Sequence, residues 1–388
     1  YEYMKTDFYA EDFKNDKLNE TLLEAADFVA LHSKIELQPG ESQVVRYFRA
    51  VQKIDESEEL LINEIKSIGT EDVKLNLSKN ESLFASVPRI DFTRSNDKAI
   101  YLSGFNLARG SMLPPTDEAK HNFYVFSREP KWGWGHGHQV LHESLSMLSY
   151  AQLDYLSAQG SQRIYMDQQA DDGLIAYRHG PRGAQTYPHK NRPTTSAPFF
   201  SWINWEVYCI GKHMDFLKDS YESGVEYMNW LKKERDLDQD GTFEWGPYGI
   251  IENVRDWYNA VFQVSEDRHL DVDKEDISDE LECLDLSLMV CKEMRSLAQM
   301  AIELGDVKAG KKWKKEADEL SKLIDKRMWD EESKFYYSIN KEDHSFQFLT
   351  RDLRRQEIIG FLPLWAESCD AERAAELVET LTDTTKFW

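Results

Sequence analysis

LECLDLSLMVCKEMRSLAQMAIELG (281–305), followed at once by VKAGKKWKKEADELSKLIDKRMW (307–329), decides the fold. In the first segment apolar residues recur at helical spacing, with few charges on any face. In the second, apolar residues fall at Trp313, Leu320 and Ile324, and lysines fill the positions between them. A long, strongly periodic helix answered by a second one, across a tight Gly-Asp turn, reads as a helix hairpin.

The same pattern recurs outward from this pair. HQVLHESLSMLSYAQLDYL (138–156) has a partner ending at QRIYMDQQ (162–169). APFFSWINWEVYCIGKHMDFL (197–217) precedes SYESGVEYMNWLKKERDL (220–237), and LRRQEIIGFLPLWAES (353–368) precedes DAERAAELVETLTD (370–383). Long Gly- and Trp-rich loops separate the pairs. Alternating helices with elaborate loops predict a mainly α chain built as an (α/α)6 toroid, an inner helical ring inside an outer one. An α-solenoid ranks lower because no repeat of constant length appears.

Upstream, FVALHSKIELQPGESQVVRYFRAV (28–51) reads as two strands around a Pro-Gly turn. DESEELLINEIKS (55–67), TEDVKLNLSKNESLFASV (70–87) and KAIYLSGFNLARGSML (98–113) read as helices. The expected organisation is the tail of an N-terminal β-sandwich domain over 1–53, a helical linker over 54–96, and the toroid over 97–388.

Bulk properties narrow the function. A chain of 388 residues holds one large core plus an accessory piece. The formal net charge of −23 opposes binding to DNA, RNA or anionic lipid, and no apolar run has the length of a bilayer span. The expected partner is a carbohydrate, with neither nucleic acid nor membrane. Oligomeric state and compartment stay open. The four cysteines, Cys209, Cys283, Cys291 and Cys369, form no metal-binding pattern and read as reduced.

Four segments could carry chemistry. PKWGWGHGHQVLHESL (130–145) alternates glycines with Trp134, His136 and His138, which supplies stacking rings and polar contacts beside a pliable backbone. The spacing of His136, His138 and His142 fits no standard zinc pattern. In QQADDGLIAYRHGP (168–181), Gln169 and Arg178 are candidate ligand contacts or, equally, a helix cap and a surface ion pair. RDLDQDGTFEWG (235–246) opens like a calcium loop, with Asp236, Asp238, Asp240 and Gly241. Pro247 stands where the bidentate Glu belongs, so an EF-hand fails; a structural Ca²⁺ and a solvated acidic turn are the two readings left. No other cofactor is required.

GIIENVRDW (249–257) sets Glu252 and Asp256 four residues apart. Two close carboxylates raise one another's pKa, which suits a general acid, while Arg255 opposes that effect. An acidic pair at a helix start is the structural alternative.

The ordered set of segments resembles the (α/α)6 glycosidases, above all glycoside hydrolase family 63 and its mannosylglycerate-hydrolase-like relatives, and more distantly the family 37 trehalases. WGWGHGHQ (132–139) is similar to their Trp-Asp-x-Gly-Phe helix entry, QQADDGLIAYR to Gln-x-x-Asp-Gly-x-Ile, and GIIENVRDW to Glu-Ser-Gly-Trp-Asp. The resemblance implies an inverting glycoside hydrolase in which Asp256 is the general acid. Trp134, Trp245 and Trp257 would then be sugar platforms, and His136, His138, Gln169, Arg178 and Glu252 hydroxyl contacts. Gly135 replaces the Asp of the helix-entry motif. Relatives continue past the position of Trp388, so the toroid is expected to be incomplete at this C-terminus, with the general-base Glu beyond it. A toroid-fold polysaccharide lyase with a Tyr/His pair is one alternative; an inactive carbohydrate-binding protein is another.

Overall fold

The computed structural model describes residues 34–45, 57–126, 140–186, 191–194, 196–246 and 279–387. The chain divides into two compact units, Tyr1–Lys74 and Leu75–Trp388, a division that falls within the segment read as a helical linker.

In the first unit, Pro39 and Gly40 form the expected turn, with Gly40 at φ 88 and Glu41 N donating to Gln38 O at 2.9 Å. The residues around it, 34–45, carry no strand; the rest of the two-strand reading lies outside the described residues. Helix α1 (Glu58–Ser67) starts where Ser57 Oγ accepts Glu59 N, and α2 (Thr70–Ala85) runs across the division.

The second unit continues with α3 (Ser95–Gly110) and a short ribbon in which β1 (Met112–Leu113) pairs antiparallel with β2 (Phe123–Tyr124). Then come α4 (Val140–Tyr150), α5 (Tyr155–Asp167), α6 (Ser201–Gly211) and α7 (Met214–Glu234). The stretch read as one helix over 138–156 is therefore two. The chain turns at 151–153, and Asp154 starts α5 by accepting Ser157 N at 3.1 Å. The 197–217 stretch breaks likewise at Lys212, which adopts a left-handed conformation (φ 54) and closes α6.

Strand β3 (Leu281–Glu282) leads into α8 (Leu284–Glu303), which is followed by α9 (Val307–Arg327). The hairpin read from sequence is thus present, with Asp306 capping α9 through Ala309 N at 2.9 Å. Residues are buried all around α8, from Leu284 and Leu288 to Met294, Leu297 and Ala301. On α9 only Gly310, Trp313, Ala317, Leu320, Ser321 and Ile324 are buried, a single stripe at helical spacing. Gly310 is required there. A Cβ on it would stand 2.5 Å from Ile302 Cγ1 and 3.0 Å from Ala298 O, so the hairpin closes only around a residue without a side chain.

After α9, β4 (Trp329–Asp330) pairs with β5 (Phe335–Tyr336), β6 (Ile339–Asn340) pairs with β3, and β7 (Gln347–Phe348) pairs with β8 (Arg351–Asp352). A 3-10 turn over Ile358–Phe361 runs into α10 (Leu362–Ala366), and α11 (Ala371–Thr382) follows, capped by Asp370.

The packing alternates as the hairpins require. Helix α6 packs against both α4 and α8, whereas α5 packs against α7. Helix α6 thus lies between α4 and α8, and α5, with eight of its thirteen residues buried, packs against α6 as well as α7. One buried cluster takes in Ile203 and Val207 of α6 together with Leu286, Val290 and Leu297 of α8. Polar ties also join the two helices, among them the Tyr208 hydroxyl, which donates to Glu303 Oε1 at 2.8 Å. The buried Glu293 of α8 accepts the backbone N–H groups of Phe200, Ser201 and Trp202, which α6 cannot satisfy within itself.

Candidate functional site

The described residues place the region between α7 and α8 in atomic detail at its stem. The loop leaving α7 closes on itself, with Glu244 N donating to Arg235 O at 2.9 Å. Its far end is tied to the start of α8, where Cys283 N donates to Phe243 O at 2.8 Å and Phe243 N to Ser287 Oγ at 3.1 Å. Residues 243–246 and 281–287 therefore form one stem, and the segment between them carries the carboxylate pair singled out in the sequence.

Trp245 lies in this stem. Its indole N–H is directed at the Asp285 carboxylate, 3.1 Å from each oxygen, and the residue is only 1% exposed. In this structure its ring packs the core and its polar edge is spent on Asp285. Burial pushes the Asp285 carboxyl up to about 6, against the pull of the Leu286 and Trp245 N–H donors.

Gln169 follows α5 and is a bracket. Its amide nitrogen donates to Gly173 O at 2.8 Å and Ser223 O at 3.1 Å, and its oxygen accepts Ser223 Oγ at 2.6 Å. Both ends of the amide are engaged in holding the Asp171-Asp172-Gly173 turn onto α7. Gly173 needs this closeness: at φ 94, a Cβ there would meet Glu226 O at 2.4 Å. Arg178, 9% exposed, bridges Gln185 through its backbone. Gln169, Arg178 and Trp245 are thus held by different partners. Trp134, His136, His138, Glu252, Asp256 and Trp257 lie outside the described residues. His142 is described, stacked on Phe126 at 5.1 Å.

The loop read as a calcium motif has the expected turn chemistry. Asp240 N donates to Asp238 Oδ1 at 3.3 Å, Gly241 N to Asp236 Oδ1 at 3.4 Å, and Thr242 N to Asp240 Oδ1 at 2.8 Å. Asp240 is further held by Arg327 and by His344 Nε2. Burial pushes its carboxyl up, but the Thr242 hydroxyl and N–H donors, and after them Arg327 and His344, bring it below the ordinary range.

Sequence reading missed the carboxylates beside this loop. Glu244 and Glu282 are 1% and 0% exposed. Oxygens of Asp238, Glu244 and Glu282 lie within 4.8 Å of one another. Lys341 Nζ pairs with Glu244. Burial pushes Glu244 up to about 7, opposed by Lys341, and pushes Glu282 up to about 8, with the charges of Glu244 and Asp240 adding to the effect. A signal was available: each glutamate interrupts an apolar run, Phe-Glu-Trp at 243–245 and Leu-Glu-Cys-Leu at 281–284. A charged residue at a core position needs a reason.

The family model described as the mannosylglycerate hydrolase MGH1-like glycoside hydrolase domain matches residues 131–388. Among solved structures, the chain is similar to the GH63 mannosylglycerate hydrolase from Thermus thermophilus in complex with glucose. The TM-score is 0.52 at 15% identity, over 72% of this chain and 74% of that one. An uncharacterized conserved protein from the same organism gives a TM-score of 0.50 at 16% identity, over 71% and 75%. The neutral trehalase Nth1 from Saccharomyces cerevisiae gives 0.48 at 16% identity, over 68% and 56%. No curated protein matches the chain in sequence. The mainly helical hairpin architecture accordingly falls in the (α/α)6 class of six-hairpin glycosidases, as the order of segments implied.

Proposed function

The chain belongs to the mannosylglycerate hydrolase MGH1-like glycoside hydrolase domain family, and from that membership we propose that this glycoside hydrolase cleaves its glycosidic bond by inversion, with Asp256 as general acid. The observation that carries this reading is the extent of the family match. Residues 131–388 take in both Gly/Trp-rich segments and the Glu252–Asp256 pair.

Asp256 protonates the glycosidic oxygen as the bond breaks. A second carboxylate activates water on the opposite face of the sugar. Inversion needs carboxyl groups about 6.5–9.5 Å apart, a gap that two separate chain segments can span. Glu252, four residues before the acid, bonds a substrate hydroxyl. Trp134 and Trp257 stack against sugar faces, and His136 and His138 bond hydroxyls. The net charge of −23 supports a substrate without a large anionic charge.

The test is product release from a glycoside panel by the full-length protein, beside Asp256→Asn. Mannosylglycerate belongs in that panel because the family description and one structural neighbour name it. Hydrolysis by the parent, loss of turnover in the variant, and a product of opposite anomeric configuration by NMR are expected. Equal turnover by both proteins would remove Asp256 from the role of acid.

A further inference from the structure

We propose that α7 and α9 form a self-complementary face through which two copies of the chain associate about a two-fold axis. The contact is independent of the reaction assigned above.

The basic half of this face is α9. Its 21 residues hold eight Lys or Arg against four Asp or Glu, a net +4 within a chain of −23. At roughly 100° per residue, Lys308, Lys311, Lys312, Lys315, Lys322 and Lys326 fall within about a third of the helix circumference. All six are exposed, and Glu319 is the one acid on their arc. The arc lies opposite the stripe of Trp313, Leu320 and Ile324 that packs the hairpin. Folding asks only for polarity there, and over the whole chain acids outnumber bases 70 to 47, so a merely solvated face would be mixed or acidic. Lys312, Lys314 and Lys315 meet Glu316, Asp318 and Glu319 along the helix; among the described residues Lys308, Lys311, Lys322 and Lys326 make no such pair.

The acidic half is α7. Asp215, Asp219, Glu222 and Glu226 follow at spacings of four, three and four, which keeps them on one line along the helix. The Asp215 and Glu222 side chains are 80% and 63% exposed, and Glu226 is exposed too. The Asp171-Asp172-Gly173 turn, packed on α7 at Glu226, adds two more exposed carboxylates. Arg163 and Lys218 offset part of this charge.

The two lines stand on neighbouring helices. Trp313 Nε1 donates to the Tyr221 hydroxyl at 3.3 Å, Lys232 pairs with Glu316, and Arg327 at the end of α9 reaches Asp240 just past α7. The helices therefore run side by side in the same direction. A two-fold axis between them, along that direction, exchanges their positions. Each lysine line then faces the carboxylate line of the other copy, and the match is made twice. The Debye length is about 8 Å at physiological salt, so facing side chains attract while the remaining negative charge of the two chains is largely screened. Exposed ion pairs are individually weak, which makes the dimer a reversible one.

The experiment is sedimentation of the full-length protein at up to about 0.1 mM, in about 0.1 M and about 0.5 M NaCl. A monomer–dimer equilibrium that weakens at the higher salt is expected. Lys308→Glu with Lys312→Glu and, separately, Glu222→Lys with Glu226→Lys each weaken it by roughly tenfold or more, because symmetry counts every reversal twice. All four positions are exposed, and unchanged Tm values verify that the variants fold. Mixing the two variants restores the dimer, since one is then acid-rich on both helices and the other base-rich on both. Structural damage cannot produce that recovery. A parent that stays monomeric overturns the proposal. So does a dimer that neither variant weakens, or a pair of weakened variants whose mixture stays monomeric.

Discussion

Glu293 on α8 accepts the backbone N–H of Ser201, the first residue of α6, at 2.5 Å. The same carboxylate takes the N–H groups of Phe200 at 3.1 Å and Trp202 at 3.0 Å. An inner helix is thus capped from its neighbour and not from its own sequence: Phe200, at the N-cap position, has no side-chain oxygen to offer. Glu293→Ala leaves three N–H groups without their acceptor. A loss on the order of 3 kcal/mol is expected in urea unfolding, with Glu293→Gln losing less because one oxygen remains. An alanine variant within about 1 kcal/mol of the parent would refute this role.

Gly310 makes a prediction against helix propensity. Glycine to alanine inside a helix ordinarily gains about 1 kcal/mol. Here the added methyl would meet Ile302 and the Ala298 carbonyl across the α8–α9 hairpin. Gly310→Ala is therefore expected to destabilise by about 1–3 kcal/mol. Double substitution with Ile302→Ala should recover part of the loss, which a thermodynamic cycle on the two positions measures.

The α8–α9 hairpin could be read from sequence because its evidence is local: long helical periodicity, a Gly-Asp turn and a lysine-rich outer face. The break at 151–154 was invisible because apolar residues continue through the turn, whereas Gly211-Lys212-His213 interrupts the apolar pattern too briefly to mark a reversal. Leu153 is buried in the turn itself, so hydrophobic pattern alone cannot mark where the chain reverses. The site was legible in part for the same reason. Trp245 looked like a sugar platform from its Gly-rich setting, and only the distant Asp285 explains why its ring is packed away. Glu282 meets Asp238 across a long stretch of intervening chain, a pairing that no local spacing encodes.

Gln169 separates a bracket from a ligand contact by kinetics. Its amide is bonded to Gly173 and twice to Ser223. Gln169→Ala is expected to lower stability by about 1–3 kcal/mol through the buried groups it leaves unmet. KM in the full-length enzyme should stay near the parent value once the fraction folded is accounted for. A large rise in KM with unchanged Tm would instead make Gln169 a substrate contact.

Asp285 gives a pH dependence opposite to that of a salt-bridged carboxylate. Burial raises its pKa from 3.8 to about 6 in the fold. Between those values the folded chain holds a proton that the unfolded chain has released. The group's favourable contribution is complete below about 3.8 and is lost as pH rises through about 6, an effect of roughly 3 kcal/mol. Asp285→Asn removes the titration and keeps an oxygen for the Trp245 N–H. Whatever its fixed cost, the variant should gain on the parent as pH rises from about 4 to 7. Urea unfolding of both proteins across that range reads the difference directly. A gap that stays constant with pH would mean Asp285 is ionised in the fold, held so by the Leu286 and Trp245 donors.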